Sequence, residues 1–468
     1  MAKNVTKDLT HGSVMKLILG FAIPMLMGLL FQQFYNMVDT IIVGKWLGVD
    51  SLAAVGSTGS INFMIVGFCI GVCSGFAIPV SQQFGAGDMH SLRKYVANAA
   101  KLSVVMSIVI TVVVCLLCRN ILEWMKTPEN IIDEAYNYIF VIFLGIPVTF
   151  LYNMLSGIIR AMGDSKTPVV FLVISSILNI ALDIISIRVF KMGVIGPAMA
   201  TVVAQLVSGI LCLIYMNKKY DTLKISRDEW RTDRVYMRKL LSMGLPMGLQ
   251  YSITAIGSVV LQTSVNGLGS KAVAAVAAGG KVSMFFCCTF DALGATMATY
   301  AGQNVGARKM NRVGQGMMSA IIIGAVYSLA AFGILYAFGD KIALLFMDKD
   351  QVELLDRVHQ FLIINSMFYI PLTLVNVVRF CIQGMGFSNL AILAGVCEMI
   401  ARSVVGFGMV PLLGYTAVCF ANPLAWIMAD LFLIPAYIFC IRKLCKTFGV
   451  ARGTSSFKSR RIFMLKKV

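Results

Sequence analysis

The second half of this 468-residue chain repeats the first. Ile23-Pro24-Met25 returns as Leu245-Pro246-Met247, Leu47-Gly48 as Leu268-Gly269, and Ala53-Ala54-Val55 as Ala274-Ala275-Val276. Gln82 through Gly85-Ala86 returns as Gln303 through Gly306-Ala307, Asn153 as Asn376, and Met162-Gly163 as Met385-Gly386, so the offset stays between 221 and 223 residues. So small a drift over such a length is too orderly for chance, and it predicts a fold of two similar halves.

Each half is a string of membrane-spanning segments. With 58% hydrophobic and 13% charged residues and a mean hydropathy of +0.82, the chain is too apolar for a soluble globular protein. Residues 51–87, 135–159, 192–217, 240–270, 313–339 and 410–429 carry no charge at all, and each stretch reaches the roughly 20 residues that a helix needs to cross a bilayer. With the segments that hold a single charge there are about twelve spans, centred near residues 30, 68, 106, 146, 177, 205, 254, 290, 326, 367, 398 and 427. An all-α polytopic membrane protein is expected, with two six-helix lobes, 1–217 and 240–441, joined by the polar linker 218–239 and followed by a basic tail, 442–468. An even number of spans per lobe makes the lobes parallel, related by an axis along the membrane normal. Two such lobes facing each other across a central path form the architecture of secondary transporters.

Charge sets the orientation. Lys3, Lys7, Arg93-Lys94, Arg160, Lys166, the linker, Arg308-Lys309, Arg312 and the basic tail all fall on one side of the spans, which the inside-positive rule makes the cytoplasm. The opposite loops hold Glu123, Glu129, Asp133 and Glu134, then Asp340, Asp348, Asp350 and Glu353, with Arg188 and Lys191 as exceptions. Both termini are therefore expected on the cytoplasmic side of a cell membrane. The formal charge of +18 follows from this topology and from attraction to anionic headgroups, and calls for no nucleic-acid partner. No cleavable signal peptide is visible ahead of the first apolar segment. The twelve cysteines lie almost entirely in apolar spans and read as small hydrophobes; Cys115 and Cys118 have redox or zinc spacing without a second ligand pair.

Polar groups inside spans mark the chemistry, because charge in lipid is costly and faces a cavity or a partner. On span one, Gln32, Asn36 and Asp39 share a helical face, and on span five Asn179 and Asp183 do the same. Together with Thr201 on span six they lie near one depth and offer only oxygen-bearing groups and amides, the ligands a hard monovalent cation prefers. Two adjacent carboxylates also share a proton readily. The alternative is that these groups only cross-link helices by hydrogen bonds. The second half differs: Asp39 faces an apolar equivalent, whereas Lys281, Asp291, Glu398, Arg402 and Asp430 are new. Glu398 and Arg402, four apart, suit mutual neutralisation; Asp291 and Asp430 have no evident local partner and are candidates for proton or cationic-substrate binding. Gln32, Asn36, Gln250, Gln262 and Asp291 are assigned to a substrate cavity. Pro24 and Pro246 sit inside the first helix of each half, where a missing N–H makes a hinge or a static kink. Gly67, Gly71 and Gly75 form a ridge for close helix approach.

The Ile23-Pro24-Met25 segment, Gln32 with Asn36-Met37-Val38-Asp39, the Gly85-Ala86-Gly87 loop, the run from Arg160 through Gly163-Asp164 to Pro168, Asn179 with Asp183, and the Gly196-Pro197 to Thr201 segment together resemble the multidrug and toxin extrusion (MATE) family. The resemblance spans nearly the whole chain. It implies a V-shaped pair of lobes and export driven by inward flow of Na⁺ or H⁺, without a cofactor. It carries the family's N-lobe cation cluster onto Asp39, Asn179, Asp183 and Thr201, and a bending first helix onto Pro24. The NorM-like branch places carboxylates on helices seven and ten; here those spans have none, which favours the DinF-like arrangement. The implied function is a monomeric antiporter that exports amphipathic, often cationic compounds. A flippase for lipid-linked precursors is the alternative, and would be expected to line its cavity with basic residues. A membrane enzyme lacks support: there is no Gly-x4-Gly-Lys-Ser/Thr phosphate loop, and the only histidines are His11, His90 and His359.

Overall fold

Helices run almost end to end in the computed structural model, which describes residues 7–344 and 352–449; Lys3, Asp348, Asp350 and the tail from 450 to 468 lie outside the described residues. The first half comprises α1 (Val14–Trp46), α2 (Val49–Ser57), α3 (Gly59–Ala86), α4 (Met89–Trp124), α5 (Ile132–Leu144), α6 (Ile146–Ala161), α7 (Lys166–Arg188) and α8 (Ile195–Lys219). The second comprises α9 (Arg234–Asn266), α10 (Ser270–Gly306), α11 (Met310–Ala343), α12 (Val352–Met367), α13 (Tyr369–Gly384), α14 (Ser388–Val404), α15 (Val410–Leu413) and α16 (Tyr415–Phe448). No strand occurs among the described residues.

Ten helical segments are long and apolar enough to cross a membrane, and two bent pairs bring the number of spans to twelve. The fourth and tenth spans are thus not the single helices that their apolar runs suggest. They break between α5 and α6 by 45° and between α12 and α13 by 51°. The breaks fall at Gly145 and Phe368, equivalent positions of the repeat, each followed within three residues by a proline, Pro147 and Pro371. A proline in the first turn has no N–H to continue the preceding helix, which is why the chain can change direction there. A five-residue π-helical turn, Val405–Met409, interrupts the eleventh span.

Helix ends follow local chemistry. Gly87 takes φ 75° to close α3, and Asp88 then caps α4 by accepting from the Ser91 N–H at 3.0 Å. In the 160–168 run, Asp164 accepts from the N–H groups of Lys166 and Thr167 at 3.0 and 3.1 Å, so that motif starts α7. The 218–239 linker is shorter than its polarity suggests, because α8 continues to Lys219 and α9 begins at Arg234, capped by Asp233. It is also pinned to α4: Glu229 is buried and bonds Arg93 Nε at 2.8 Å and His90 Nδ1 at 3.0 Å, while the Asp233 N–H donates to Asn98 Oδ1 at 3.1 Å.

The two halves meet along α1, α3, α9 and α10. The Gly67, Gly71, Gly75 ridge of α3 lies on α9, where a Cβ on Gly71 would stand 2.5 Å from Met247 O and one on Gly75 2.6 Å from Gly244 Cα. Only glycine lets these backbones come so close. The first half of α1 does not belong to the core of its own repeat: Leu17, Ile18, Phe21, Ala22 and Met25 pack into the hydrophobic core built mainly by α10 to α16. From Gly28, which abuts Val169, the helix instead follows α7. Pro24 therefore stands where α1 crosses from one lobe to the other.

One end of the bundle collects basic groups. There, Lys309 Nζ donates to Thr10 O at 3.0 Å, Arg312 Nη1 to Gly12 O at 3.1 Å, and Arg308 lies over the Phe448 ring. Cross-lobe side-chain hydrogen bonds among the described residues run from this basic face only as far as Ser252 Oγ to Met64 O, at 3.3 Å. Two aromatic pairs, Phe63 with Tyr251 and Phe34 with Phe285, also bridge the lobes. Beyond them α1 and α9 present exposed Asn36, Thr40, Ser258 and Gln262. The lobes are closed at the basic face and parted at the acidic one.

Candidate cation and substrate sites

Asp39 and Asp183 come together. Their carboxyl groups adjoin, with Asp183 fully buried and Asp39 partly so. Asn179, one turn from Asp183, is 2% exposed, and its Nδ2 donates to Thr201 Oγ1 at 3.4 Å. Four buried oxygens in this cluster lack any hydrogen-bond donor: Asp39 Oδ1, Asn179 Oδ1 and both oxygens of Asp183. Buried acceptors without donors are rare, since each gives up its hydration for nothing, and a cluster of them marks a place for a proton or a cation.

Three groups that sequence reading passed over complete the cluster. Tyr35, one turn before Asp39, lines the same cavity as Gln32. Tyr138, from α5, is buried within reach of the charges of Asp39 and Asp183. Below the acids, Tyr35, Gln32, Asn179, Thr201 and Gln205 line a cavity of about 50 Å³, room for a few waters or a small ion. Tyr35 lies on the Gln32–Asp39 face and so carried a helical signal. Tyr138 sits on a different helix, and nothing in its spacing points to the site.

The residues assigned to a substrate cavity do not gather in one place. Gln32 lines the N-lobe cavity, whereas Asn36 is exposed beyond it. Gln250 is buried, its Oε1 accepting from Gln383 Nε2 at 2.6 Å. Gln262 is exposed and bonds Asn266 Oδ1 at 2.8 Å. Asp291 is exposed although Phe290 and Ala292 beside it are buried; its charge reaches Tyr251, the ring that pairs with Phe63 of the first half.

Sequence reading missed a basic group whose charge reaches both Asp291 and Asp430, Arg379 on α13, though its ion pair among the described residues is with Glu398 and with neither of these acids. Arg379 Nη2 bonds Glu398 Oε1, and Glu398 Oε2 stands 3.6 Å from Arg402 Nη2. The Glu398–Arg402 pair is therefore part of a buried triad on α13 and α14. Lys281 is exposed on α10. Among the described residues there is no group of three or more His, Cys, Asp or Glu side chains placed to hold a metal ion.

Known proteins are similar to this chain in sequence and in fold. YoeA of Bacillus subtilis, a probable multidrug resistance protein, is 29% identical over 78% of this chain and 80% of its own length. A FAD transporter of Shewanella oneidensis is 23% identical over 77% of this chain and 80% of its own. A solved structure described as the outward-facing conformation of a multidrug resistance MATE family transporter superposes with a TM-score of 0.88, at 22% identity over 94% of this chain and 98% of that one. The MatE family profile matches twice, over residues 24–185 and 246–408, which together cover more than half of the sequence. This chain is a member of the MatE family, membrane transporters and not enzymes.

Proposed function

We propose that the protein is an ion-coupled antiporter of a cell membrane that exports amphipathic, often cationic compounds in exchange for Na⁺ or H⁺. The observation that carries this reading is the set of four donor-less buried oxygens on Asp39, Asn179 and Asp183, with Thr201 beside them. A monovalent cation takes such oxygens as ligands, and the adjoining carboxyl groups hold one proton between them equally well. The opposite arrangement of charges at the two faces supports cytoplasmic termini, and the cleft open at the acidic face then opens outward. The drug resistance in the names of relatives such as YoeA supports the substrate class. A relative named for FAD, a phosphate-bearing anion, supports a second strand of this reading, in which anionic groups are also accepted. The acidic first lobe does not favour a lipid-linked precursor flippase. The protein works as a monomer in this reading, with the membrane lipids as its only standing partners.

The deciding experiment is transport of a fluorescent cation in proteoliposomes with Na⁺ and pH gradients imposed separately. One of the two gradients should drive export by the wild-type protein. Asp39→Asn and Asp183→Asn should each abolish gradient-driven export while keeping folding and insertion, because polar volume is retained and ionisation is lost. Normal export by both variants sinks the coupling assignment.

A further inference from the structure

The second lobe holds a charged network that ion coupling at Asp39 and Asp183 does not use. Arg379, Glu398 and Arg402 are 6%, 3% and 7% exposed; the three together carry a charge of +1, and the buried Asp430, whose Oδ1 has no partner, acts on Arg379 from α16. Glu398 spends both carboxylate oxygens on the two guanidinium groups. Three donors remain buried without any acceptor: Arg379 Nε, Arg402 Nε and Arg402 Nη1. A purely structural ion pair matches its donors and acceptors, because unpaired charge in a low-dielectric interior is expensive. Here the donors are in excess.

Gly257 of α9 leaves the space that Arg402 occupies, an ideal Cβ there being 3.5 Å from Nη1. The π-helical turn follows directly on the helix that bears Glu398 and Arg402, and such turns recur at functional sites. Arg379 is the link to the cleft: α13 packs on α10 where a Cβ on Gly294 would stand 2.7 Å from Phe380, next to Arg379 in sequence, and the exposed Asp291 lies one turn before Gly294 on α10, within reach of the Arg379 charge. An anion alone would meet Asp291 on its way in and be repelled. A molecule with both charges satisfies both partners.

We propose that Arg379 and Arg402 receive the carboxylate or phosphate of a zwitterionic amphiphile whose amine is held by Asp291. Planar guanidinium groups with free Nε–H edges are suited to two-point binding of such oxygens. Glu398 occupies the receptor in the absence of substrate and competes with the incoming anion. The inference rests on the exporter reading and adds a charge selectivity to it.

Two dyes with one ring system provide the test: rhodamine B, which carries a free carboxylate beside its cationic chromophore, and its ethyl ester, which is a cation only. Binding of each to the purified full-length protein in lipid nanodiscs is read by fluorescence anisotropy, independently of any gradient. Arg379→Lys and Arg402→Lys keep the charge and remove the fork, and each should lower the ratio of acid to ester affinity about tenfold or more, the worth of a bond to a charged group. Glu398→Gln removes the internal competitor and should raise the same ratio, a change that misfolding does not produce. A wild-type protein that binds the ester and not the acid, or a ratio that stays within twofold in all three variants, overturns the proposal. If the ratios shift as expected but no gradient drives export, the receptor stands and the exporter reading fails.

Discussion

Gln82 and Gln303 occupy equivalent places in the two repeats, and each donates its side-chain amide across the boundary between the lobes. Gln82 Nε2 bonds Gly384 O at 2.9 Å and Gln303 Nε2 bonds Ala161 O at 2.9 Å; the two acceptors are themselves repeat equivalents. The Gly85 and Gly306 backbones lie against Gln303 O and Gln82 O in the same crossed fashion. The repeated Gln-to-Gly-Ala motif is thus a pseudo-twofold lock on the basic face. Its symmetry is broken by the N-terminal segment, whose Leu9 N–H donates to Gln303 Oε1 at 2.9 Å.

The lock predicts unequal effects from equal substitutions. Gln303→Ala strands the Leu9 N–H and the Ala161 carbonyl, whereas Gln82→Ala strands the Gly384 carbonyl alone, at about 1–3 kcal/mol for each buried group. Gln303→Ala should therefore shift the protein further toward a state open at the basic face. Spin labels on His90 and Lys446, at that face of the two lobes, report the separation by pulsed electron resonance. Identical distance distributions in both variants and the wild type would remove the lock from the gating machinery.

Gly71 tests the close approach of α3 and α9. Gly71→Ala places a methyl group 2.5 Å from Met247 O and 2.8 Å from Gly248 Cα, backbone atoms that cannot turn aside. The expected cost is about 1–3 kcal/mol, the range for overpacking. Gly314→Ala on α11, where a Cβ meets nothing within 4 Å, should be neutral or slightly stabilising through helix propensity. Thermal unfolding of the two purified variants in one detergent makes the comparison, and equal melting temperatures contradict the packing.

The linker should loosen in acid. Arg93 bonded to Glu229 holds its carboxyl at about 2, well below the ordinary value of 4.5. Because the folded value is the lower one, the contribution to stability is complete above about 4.5 and is lost as pH falls toward 2. Amide protection of residues 221–233, the exchange rate relative to the intrinsic rate at the same pH, should fall through that window, and Glu229→Gln should show the lower protection already at pH 7. Protection in the wild type that does not change with pH contradicts the docking.

Pro24 predicts a kinetic effect. It marks the point where α1 leaves the core of the second lobe, at Met25, and joins α7, at Gly28. Pro24→Ala restores a backbone donor and stiffens the helix at that junction. Transport turnover should fall more than substrate affinity, since the change acts on the exchange between states. An unchanged turnover number shows the proline to be a fixed feature of packing.

How much of this was legible in the sequence follows from the range of each interaction. The repeat, the all-helical lobes and the segregation of charge depend on composition and local order, and residues alone carry them. The face shared by Gln32, Asn36 and Asp39 follows from helical spacing, so one side of the polar cluster around Asp39 and Asp183 could be written down in advance. What lies across helices could not. Asp183 meets Asp39 from another span, Arg379 joins Glu398 over nineteen positions, and the first turns of α1 desert their own repeat for the core of the other. Spacing along one helix fixes a direction in space only relative to that helix, and the packing of helices against each other decides which directions meet. The sequence determined two homologous lobes and the acids that would be costly in lipid; the tertiary structure decided which donors those acids lack and which arginines stand ready behind the cleft.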